Sequence, residues 1–154
     1  CSSDLVGHIA AGSNVRVVNC YNYATVSGST YAKLLNGNDS PELLPSADLN
    51  AAIERAAQNL NLPIKHAVVH SSDVFYNMEG GETWQELRDS KNADCVEMES
   101  FALFANAAAL GKRAACLLTI SDSFVTGDSL PALDRQQTFT DMVRIALETA
   151  ADLA

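Results

Sequence analysis

The run Ala114-Ala115-Cys116-Leu117-Leu118-Thr119-Ile120 is apolar at every position but one, and Ser121-Asp122-Ser123 follows it at once. This pattern is typical of a central strand in a parallel sheet, because both faces of such a strand are covered. We therefore predict a buried strand over Arg113–Ile120. Ligands of α/β sheets bind beyond the carboxyl ends of the strands, so the polar residues after Ile120 are candidate site residues.

Strand and helix patterns alternate along the rest of the chain. Strands are expected at Val15–Cys20, at Ile64–His70 and around Val96, and helices between Ser46 and Pro63, at Trp84–Ser90, at Phe101–Leu110 and at Leu133–Leu153. The last helix is expected to turn one stripe to the core, formed by Phe139, Met142, Val143, Ala146 and Ala150. Asn22–Ser46 is rich in Ser, Gly, Asn and Pro and is expected to be a long loop or active-site flap. The alternation predicts an α/β fold, a three-layer sandwich around a central, largely parallel (mixed) sheet, as one domain over residues 1–154.

The amino-acid composition and net charge of the chain argue against several functional classes. The chain has 154 residues, of which 47% are hydrophobic and 19% charged, as in a soluble globular domain. Ten basic against 19 acidic residues give a net charge of −9, which argues against nucleic acid or an anionic membrane as the partner. No apolar run is long enough to span a bilayer. A small-molecule ligand remains possible on these grounds.

The cysteines and the first residue bear on where the protein resides. Cys1, Cys20, Cys95 and Cys116 show no CxxC spacing and mostly lie in apolar contexts. We therefore expect free thiols in a reducing compartment and a cytoplasmic protein. The chain begins with Cys1 and not with Met, so we expect sequence upstream and an N-terminally incomplete domain; a lipoprotein with a lipidated cysteine is the alternative.

Asp122 and Arg135 are the first candidates for chemistry. Asp122 follows the predicted central strand, and Arg135 comes thirteen positions later, at the start of the last predicted helix. The intervening loop can fold back so that the two side chains meet as an ion pair over the sheet edge. Spacing alone equally fits a structural salt bridge that holds the loop to the helix.

Glu97 and Glu99 form a second candidate pair. In extended backbone, residues two apart project to one side, with Met98 on the other. Paired carboxylates suit acid/base chemistry or a clamp on the adjacent hydroxyls of a sugar. The alternative is a helix N-terminus, where acidic side chains simply favour the helix dipole.

Other residues give weaker signals. Phe75 and Tyr76 follow the strand that ends near Ser72, where an aromatic face could stack on a planar ligand; core or lid residues are the alternative. His66 and His70 are not expected to share a metal ion, since four strand residues span roughly 13 Å. The fingerprints of dinucleotide, triphosphate, metalloprotease and serine-hydrolase sites are absent from the sequence. No cofactor or metal is expected.

Several of these segments together resemble the purine nucleoside phosphorylases of the hexameric type. The matching blocks are Ser72-Asp73-Val74-Phe75-Tyr76, Val96-Glu97-Met98-Glu99-Ser100, Thr119-Ile120-Ser121-Asp122, Asp134-Arg135-Gln136-Gln137-Thr138-Phe139 and Met142-Val143-Arg144-Ile145-Ala146-Leu147-Glu148. They occur in the family's order and spacing. The resemblance spans residue 64 to the end closely and residues 1–63 loosely.

The resemblance implies a phosphorylase/hydrolase-like α/β fold and a pentosyltransferase of purine salvage. Its reaction is the reversible phosphorolysis of purine (deoxy)ribonucleosides to free base and (deoxy)ribose 1-phosphate, with phosphate as co-substrate and no other cofactor. By resemblance, Asp122 protonates N7 of the leaving purine, Arg135 engages that acid, Met98 and Glu99 contact the ribose, and Phe75 and Val96 wall the base site. The expected substrate-binding set is Phe75, Val96, Glu97, Met98, Glu99 and Ser121, with Asp122 and Arg135 as the catalytic pair.

Departures from the family pattern limit what the resemblance implies. The family commonly has His where Ser123 stands, so base preference is open. No basic residue lies on a glycine-rich turn that could bind phosphate, so no phosphate ligand is assigned and the chain alone is expected to be inactive. The resemblance implies a hexamer built as a trimer of dimers. A nucleosidase that uses water, or an inactive nucleoside-binding or assembly module, are the alternative functions.

Overall fold

The computed structural model describes residues 2–5, 14–21, 42–72 and 83–154, with the backbone alone at 2–5, 14–21, 132 and 134–138. Its strands are β1 Ser2–Leu5, β2 Asn14–Tyr21, β3 Glu42–Leu43, β4 Lys65–Ser71, β5 Cys95–Glu97 and β6 Leu117–Ser123. Its helices are α1 Ala47–Asn59, α2 Trp84–Lys91, α3 Ser100–Ala109 and α4 Ala132–Asp152. The four predicted helices and the strands expected at β2, β4 and β5 are confirmed to within a few residues.

The six strands form one mixed sheet in the order β3-β2-β4-β5-β1-β6. Parallel pairing joins β2 with β4, β4 with β5, and β1 with β6. Antiparallel pairing joins β1 with β5 and β2 with β3. Strand β6 also returns to pair antiparallel with the start of β2, so that five strands close into a ring. The expected α/β fold with a mixed sheet is confirmed. Strand β6 is parallel to β1 but antiparallel to β2, the strand with which it closes the ring.

Apolar side chains cover both faces of this sheet. Leu118 and Ile120 of β6 are fully buried and belong to the same cluster as Phe101 and Phe104 of α3. Leu117, one position earlier in β6, packs instead against the cluster shared by helices α1 and α4. Burying one such side chain contributes roughly 1.5–3 kcal/mol. Alternate residues of β6 therefore hold helices on opposite faces, as the predicted layered sandwich requires.

Helix α1 is tied to the segment that leads into β6. Ser46 precedes the helix; its backbone N–H donates to the Ala114 carbonyl at 2.7 Å, and its hydroxyl accepts the Ala114 N–H at 3.0 Å. Arg113 donates to the Asp48 carboxylate at 2.5 Å and holds the pKa of that carboxyl below its usual range. These contacts fix the start of β6 against α1.

Local interactions determine where helix α2 begins and where helix α3 ends. Thr83 and Glu86 form a capping box at the start of α2. The Glu86 carboxylate accepts a hydrogen bond from the Thr83 N–H, and this bond lowers the pKa of Glu86. Gly111, after α3, has φ +61°, the left-handed conformation expected of a glycine that stops a helix. Cys95 and Cys116 are free thiols, as expected for these two cysteines.

The structure corrects several expectations and contains one strand that was not expected. The strand predicted at Arg113–Ile120 begins at Leu117 and continues through Ser123, so Ser121 and Asp122 lie within it and not beyond it. Strand β1 has no periodicity that could have predicted it.

Among the described side chains of α4, the buried ones are Ile145 and Thr149, whereas the expected Val143, Ala146 and Ala150 are exposed. The helix is rotated because Ile145 packs against Ile53, Ala56 and Ala57 of α1. Residues 22–41 of the loop expected at Asn22–Ser46 lie outside the described residues, and Glu42–Leu43 at its end form β3 because they pair with β2.

Within the described ranges, no helix combines the length and the apolar character needed to cross a membrane.

The packing of α4 on α1 makes a first prediction. Ile145→Ala should lower the free energy of unfolding by about 2–5 kcal/mol, because Ile145 is fully buried between the two helices. Leu147→Ala, two positions along the same helix and 66% exposed, should change it by less than about 0.5 kcal/mol. Urea denaturation followed by circular dichroism measures both. Equal losses for the two variants would show that α4 packs through another face.

Candidate active site

The two strand ends proposed as site residues lie at the same level of the sheet. Asp4 of β1 is in register with Val96 of β5 on one side and with Asp122 of β6 on the other. Neighbouring strands are about 4.8 Å apart, so the backbones of Val96 and Asp122 are separated by roughly 10 Å. The sheet therefore brings together the β5 end and Asp122.

The geometry that joins them differs from the predicted one. β1 is antiparallel to β5 and parallel to β6, so β5 and β6 run in opposite directions. Their carboxyl ends therefore do not meet at one edge. A one-residue shift in register between Ser3 and Asp4 places Asp122, and not Ser121, opposite Asp4. Irregularities of this kind commonly re-aim a side chain beside a functional site.

Two serine hydroxyls hold the carboxylate of Asp122. The Ser121 hydroxyl donates to Oδ2 at 2.5 Å, and the Ser129 hydroxyl donates to Oδ1 at 2.5 Å. Asp122 is half-buried, Ser121 is 1% exposed and Ser129 is exposed. Each carboxylate oxygen thus accepts one of these two hydroxyls.

Ser129 reaches Asp122 because the loop after β6 folds back on the strand. The Ser123 N–H donates to the Asp128 carbonyl at 2.8 Å, and the Leu130 N–H donates to the Ser121 carbonyl at 2.9 Å. Between these two bonds, Asp122 and Ser129 form an antiparallel bridge. Gly127, with φ +73°, allows the turn. The sequence reasoning missed Ser129; the Gly127-Asp128 turn pair was the signal that this loop reverses direction.

Glu97 is committed to the start of helix α3. It is 4% exposed, and its Oε2 accepts the backbone N–H groups of Glu99 and Ser100 at 2.8 and 2.7 Å. Its Oε1 accepts the Ser100 hydroxyl at 2.6 Å. The carboxylate thus satisfies donors that the first turn of a helix leaves without partners. Glu97 supports the turn that carries Met98 and Glu99.

Glu99 and Met98 present a different environment. Strand β5 ends at Glu97, and Glu99 occupies the position before α3 with φ −126° and ψ −30°. Both side chains are exposed, Met98 by 40%. The expectation that Glu97 and Glu99 project together from extended backbone is wrong, since the chain turns between them. The alternative, a helix N-terminus, is confirmed.

The remaining candidates are placed only in part. Val96 is half-buried and packs against the cluster of Leu87 and Ala93. Arg135 lies in the first turn of α4, but its side chain is outside the described part of the structure, so its ion pair with Asp122 stays a prediction. Phe75 also lies outside the described residues.

Known proteins are similar to this chain in sequence and in fold. The family model of the phosphorylase superfamily matches residues 9–154. A DeoD-type purine nucleoside phosphorylase of Mycoplasma pneumoniae is 39% identical over 111 residues, 72% of this chain and 46% of that protein. One of Oceanobacillus iheyensis is 34% identical over 143 residues, 93% of this chain and 60% of that protein. The chain spans about half the length of the curated relatives it matches.

A solved structure gives the same result for the fold. The purine nucleoside phosphorylase of Toxoplasma gondii, in complex with immucillin-H, superposes with a TM-score of 0.82 at 17% identity. The match covers 99% of this chain and 61% of that one. At this identity the likeness shows the fold alone.

The separate roles of the two glutamates can be tested by stability. Glu97→Ala should lower the free energy of unfolding by at least about 2 kcal/mol, because it leaves two backbone N–H groups and one hydroxyl without their acceptor. Glu99→Ala, the matched truncation of an exposed side chain, should change it by less than about 0.5 kcal/mol. Urea titration gives both values. A larger loss for Glu99→Ala would reverse the assignment.

Proposed function

The chain belongs to the phosphorylase superfamily, and on that basis we propose that the protein is a purine nucleoside phosphorylase. It would convert a purine (deoxy)ribonucleoside and phosphate to the free base and (deoxy)ribose 1-phosphate. The observation that carries the proposal is the shared level of Asp122 and the β5 end, with Asp4 in register with both. A hydrogen-bonding acid and an exposed carboxylate then flank one region of the sheet.

Asp122 is proposed as the acid that acts on the base. Cleavage of the glycosidic bond leaves electrons on the purine and positive charge on the sugar. A proton delivered to N7 neutralises the departing base, and general acids of this kind contribute 10²–10⁴-fold in rate. Aspartate in water is ionised at neutral pH, so the bound purine has to favour the protonated form. Arg135 is proposed to approach as the proton leaves and to stabilise the carboxylate that forms.

Glu99 is proposed as the ribose contact. Its carboxylate is exposed and its Oε2 accepts the Met98 N–H at 3.3 Å, whereas both oxygens of the buried Glu97 accept hydrogen bonds from the α3 turn. A carboxylate has about four acceptor positions, so Glu99 can also accept hydrogen bonds from two adjacent sugar hydroxyls. Met98 would pack against the sugar, and Val96 and Phe75 would wall the base. Glu97, which was expected to bind substrate, is therefore proposed instead to support the turn that carries Met98 and Glu99.

Phosphate is the proposed co-substrate, and three arginines are poor candidates to bind it. Arg88 and Arg113 form ion pairs with Asp89 and Asp48 at 2.6 and 2.5 Å. Arg144 lies 3.6 Å from Asp141 on the face of α4. A cation already neutralised by a carboxylate attracts phosphate weakly. The phosphate ligands are not assigned among these side chains.

The setting of the protein follows from the same proposal. We propose one domain over residues 1–154, a cytoplasmic location and a role in purine salvage. The free thiols of Cys95 and Cys116 suit a reducing compartment. A homo-oligomer, a hexamer by resemblance, is supported by large apolar side chains on the surface of α3, where Leu103 is 46% and the adjoining Leu110 71% exposed.

Phosphate dependence tests the reaction class. With adenosine or inosine and excess phosphate, the full-length protein should release free base and form the sugar 1-phosphate, and without phosphate the release should stop. Chromatography of the products measures both. Base release at an undiminished rate without phosphate would indicate a nucleosidase. Nucleoside binding with no release under either condition would indicate an inactive binding module.

Asp122→Asn tests the acid. The variant should lose at least about 100-fold in kcat on adenosine, while its affinity for the nucleoside stays close to that of the parent protein, because the amide cannot deliver a proton. Asp128→Asn is the matched control, since Asp128 is an exposed aspartate on the loop that follows β6. It should keep kcat within about twofold, so that ΔΔG‡ stays below roughly 0.5 kcal/mol. Unchanged turnover in Asp122→Asn would remove Asp122 from the mechanism.

A further inference from the structure

We propose that Ser129 is a positioning residue for the catalytic acid, acting through the carboxylate of Asp122. The inference rests on the proposed function, in which Asp122 delivers a proton to the purine. Ser129 donates its hydroxyl hydrogen to Oδ1 of Asp122 at 2.5 Å, opposite the Ser121 hydroxyl on Oδ2. The two bonds hold the carboxyl group at each of its two oxygens.

Orientation matters because an acid must aim at one atom of the base. A carboxyl group attached through a single bond turns freely unless its oxygens have partners. Catalytic groups need to be held within about 0.5 Å and 10–20° of the productive geometry. A misplacement of 1 Å can cost about 100-fold in rate. Ser121 donates to one oxygen of Asp122 and Ser129 to the other, so Ser129 restrains an oxygen that Ser121 does not reach.

Backbone bonds bring Ser129 to Asp122 and do not depend on its hydroxyl. The loop is closed by the bonds from Ser123 N–H to the Asp128 carbonyl and from Leu130 N–H to the Ser121 carbonyl. The Ser129 side chain is exposed, so its removal leaves no cavity in the core. Its hydroxyl therefore acts on Asp122 and contributes little to the closure of the loop.

The same loop offers a matched control. The Thr126 hydroxyl donates to Oδ2 of Asp128 at 2.6 Å, a bond of the same chemical kind between exposed residues. Thr126→Val removes that bond and leaves the two hydroxyls on Asp122 in place. Any effect of Ser129→Ala that Thr126→Val does not share is then specific to Asp122.

Steady-state kinetics on adenosine with phosphate gives the first test. Ser129→Ala should lower kcat by about 10- to 100-fold and raise KM by up to about tenfold, because the misaligned acid also loses its hydrogen bond to N7 of the bound base. Ser129→Thr, which keeps the hydroxyl, should restore kcat to within about threefold. Thr126→Val should leave both parameters within about twofold. In an Asp122→Asn background, Ser129→Ala should cause no further loss of kcat.

Binding gives a second test that needs no turnover. In 7-deazaadenosine a carbon replaces N7, so the compound cannot accept the proton of Asp122. The parent protein should bind adenosine more tightly than 7-deazaadenosine by about tenfold, the value of one good hydrogen bond. In Ser129→Ala this ratio should fall towards one, and in Thr126→Val it should stay at the parent value. Isothermal titration calorimetry measures each affinity.

The outcomes separate this inference from the proposed function. If Asp122→Asn loses turnover but Ser129→Ala keeps both the parent kcat and the parent N7 preference, Ser129 has no positioning role. If Asp122→Asn keeps full turnover, Asp122 is not the acid and the proposed function fails with it. If Ser129→Thr behaves like Ser129→Ala in both measurements, the hydroxyl is not the group that matters.

Discussion

The pairing of one short strand with two neighbours is the constraint on which the candidate site depends. Asp4 of β1 lies in register with Val96 and with Asp122, which come from strands of opposite direction. Had the register continued unshifted after Ser3 and Ile120, Ser121 would lie opposite Asp4. One additional residue in β6 therefore determines which side chain stands level with the β5 end. The rest of the site is arranged around that choice.

Three carboxylates near this level are distinguished by their hydrogen-bond donors. Glu97 accepts three bonds from the α3 turn and is buried, which makes it a structural acceptor. Asp122 accepts two hydroxyls, one at each oxygen. Glu99 is exposed at the turn that Glu97 supports. The hydrogen-bond donors around each carboxylate, and not the residue type, therefore distinguish the structural Glu97 from the two proposed site residues.

Local signals in the sequence predicted the parts of the fold that local interactions determine. Helical spacing with Ser46 ahead and Pro63 behind predicted α1, and Gly111 marked the end of α3. The features that the sequence did not predict depend on distant partners. The face of α4 that is buried follows from where α1 places Ile53, and β1 is a strand only because β5 and β6 supply its hydrogen bonds. Neither fact has a signature within its own segment.

The candidate site shows the same division between local and distant causes. Sequence reasoning selected Asp122 as a residue after a central strand, on the premise that parallel strands end at one edge. In the structure Asp122 lies within β6, which runs opposite to β5, and a loop closed by Gly127 supplies Ser129. The premise was wrong. Polar residues interrupt a buried apolar strand only where partners satisfy them, and here the returning loop supplies Ser129 as one such partner of Asp122. The proposal for Asp122 therefore depends on this polar interruption of the strand and not on the direction in which the strand runs.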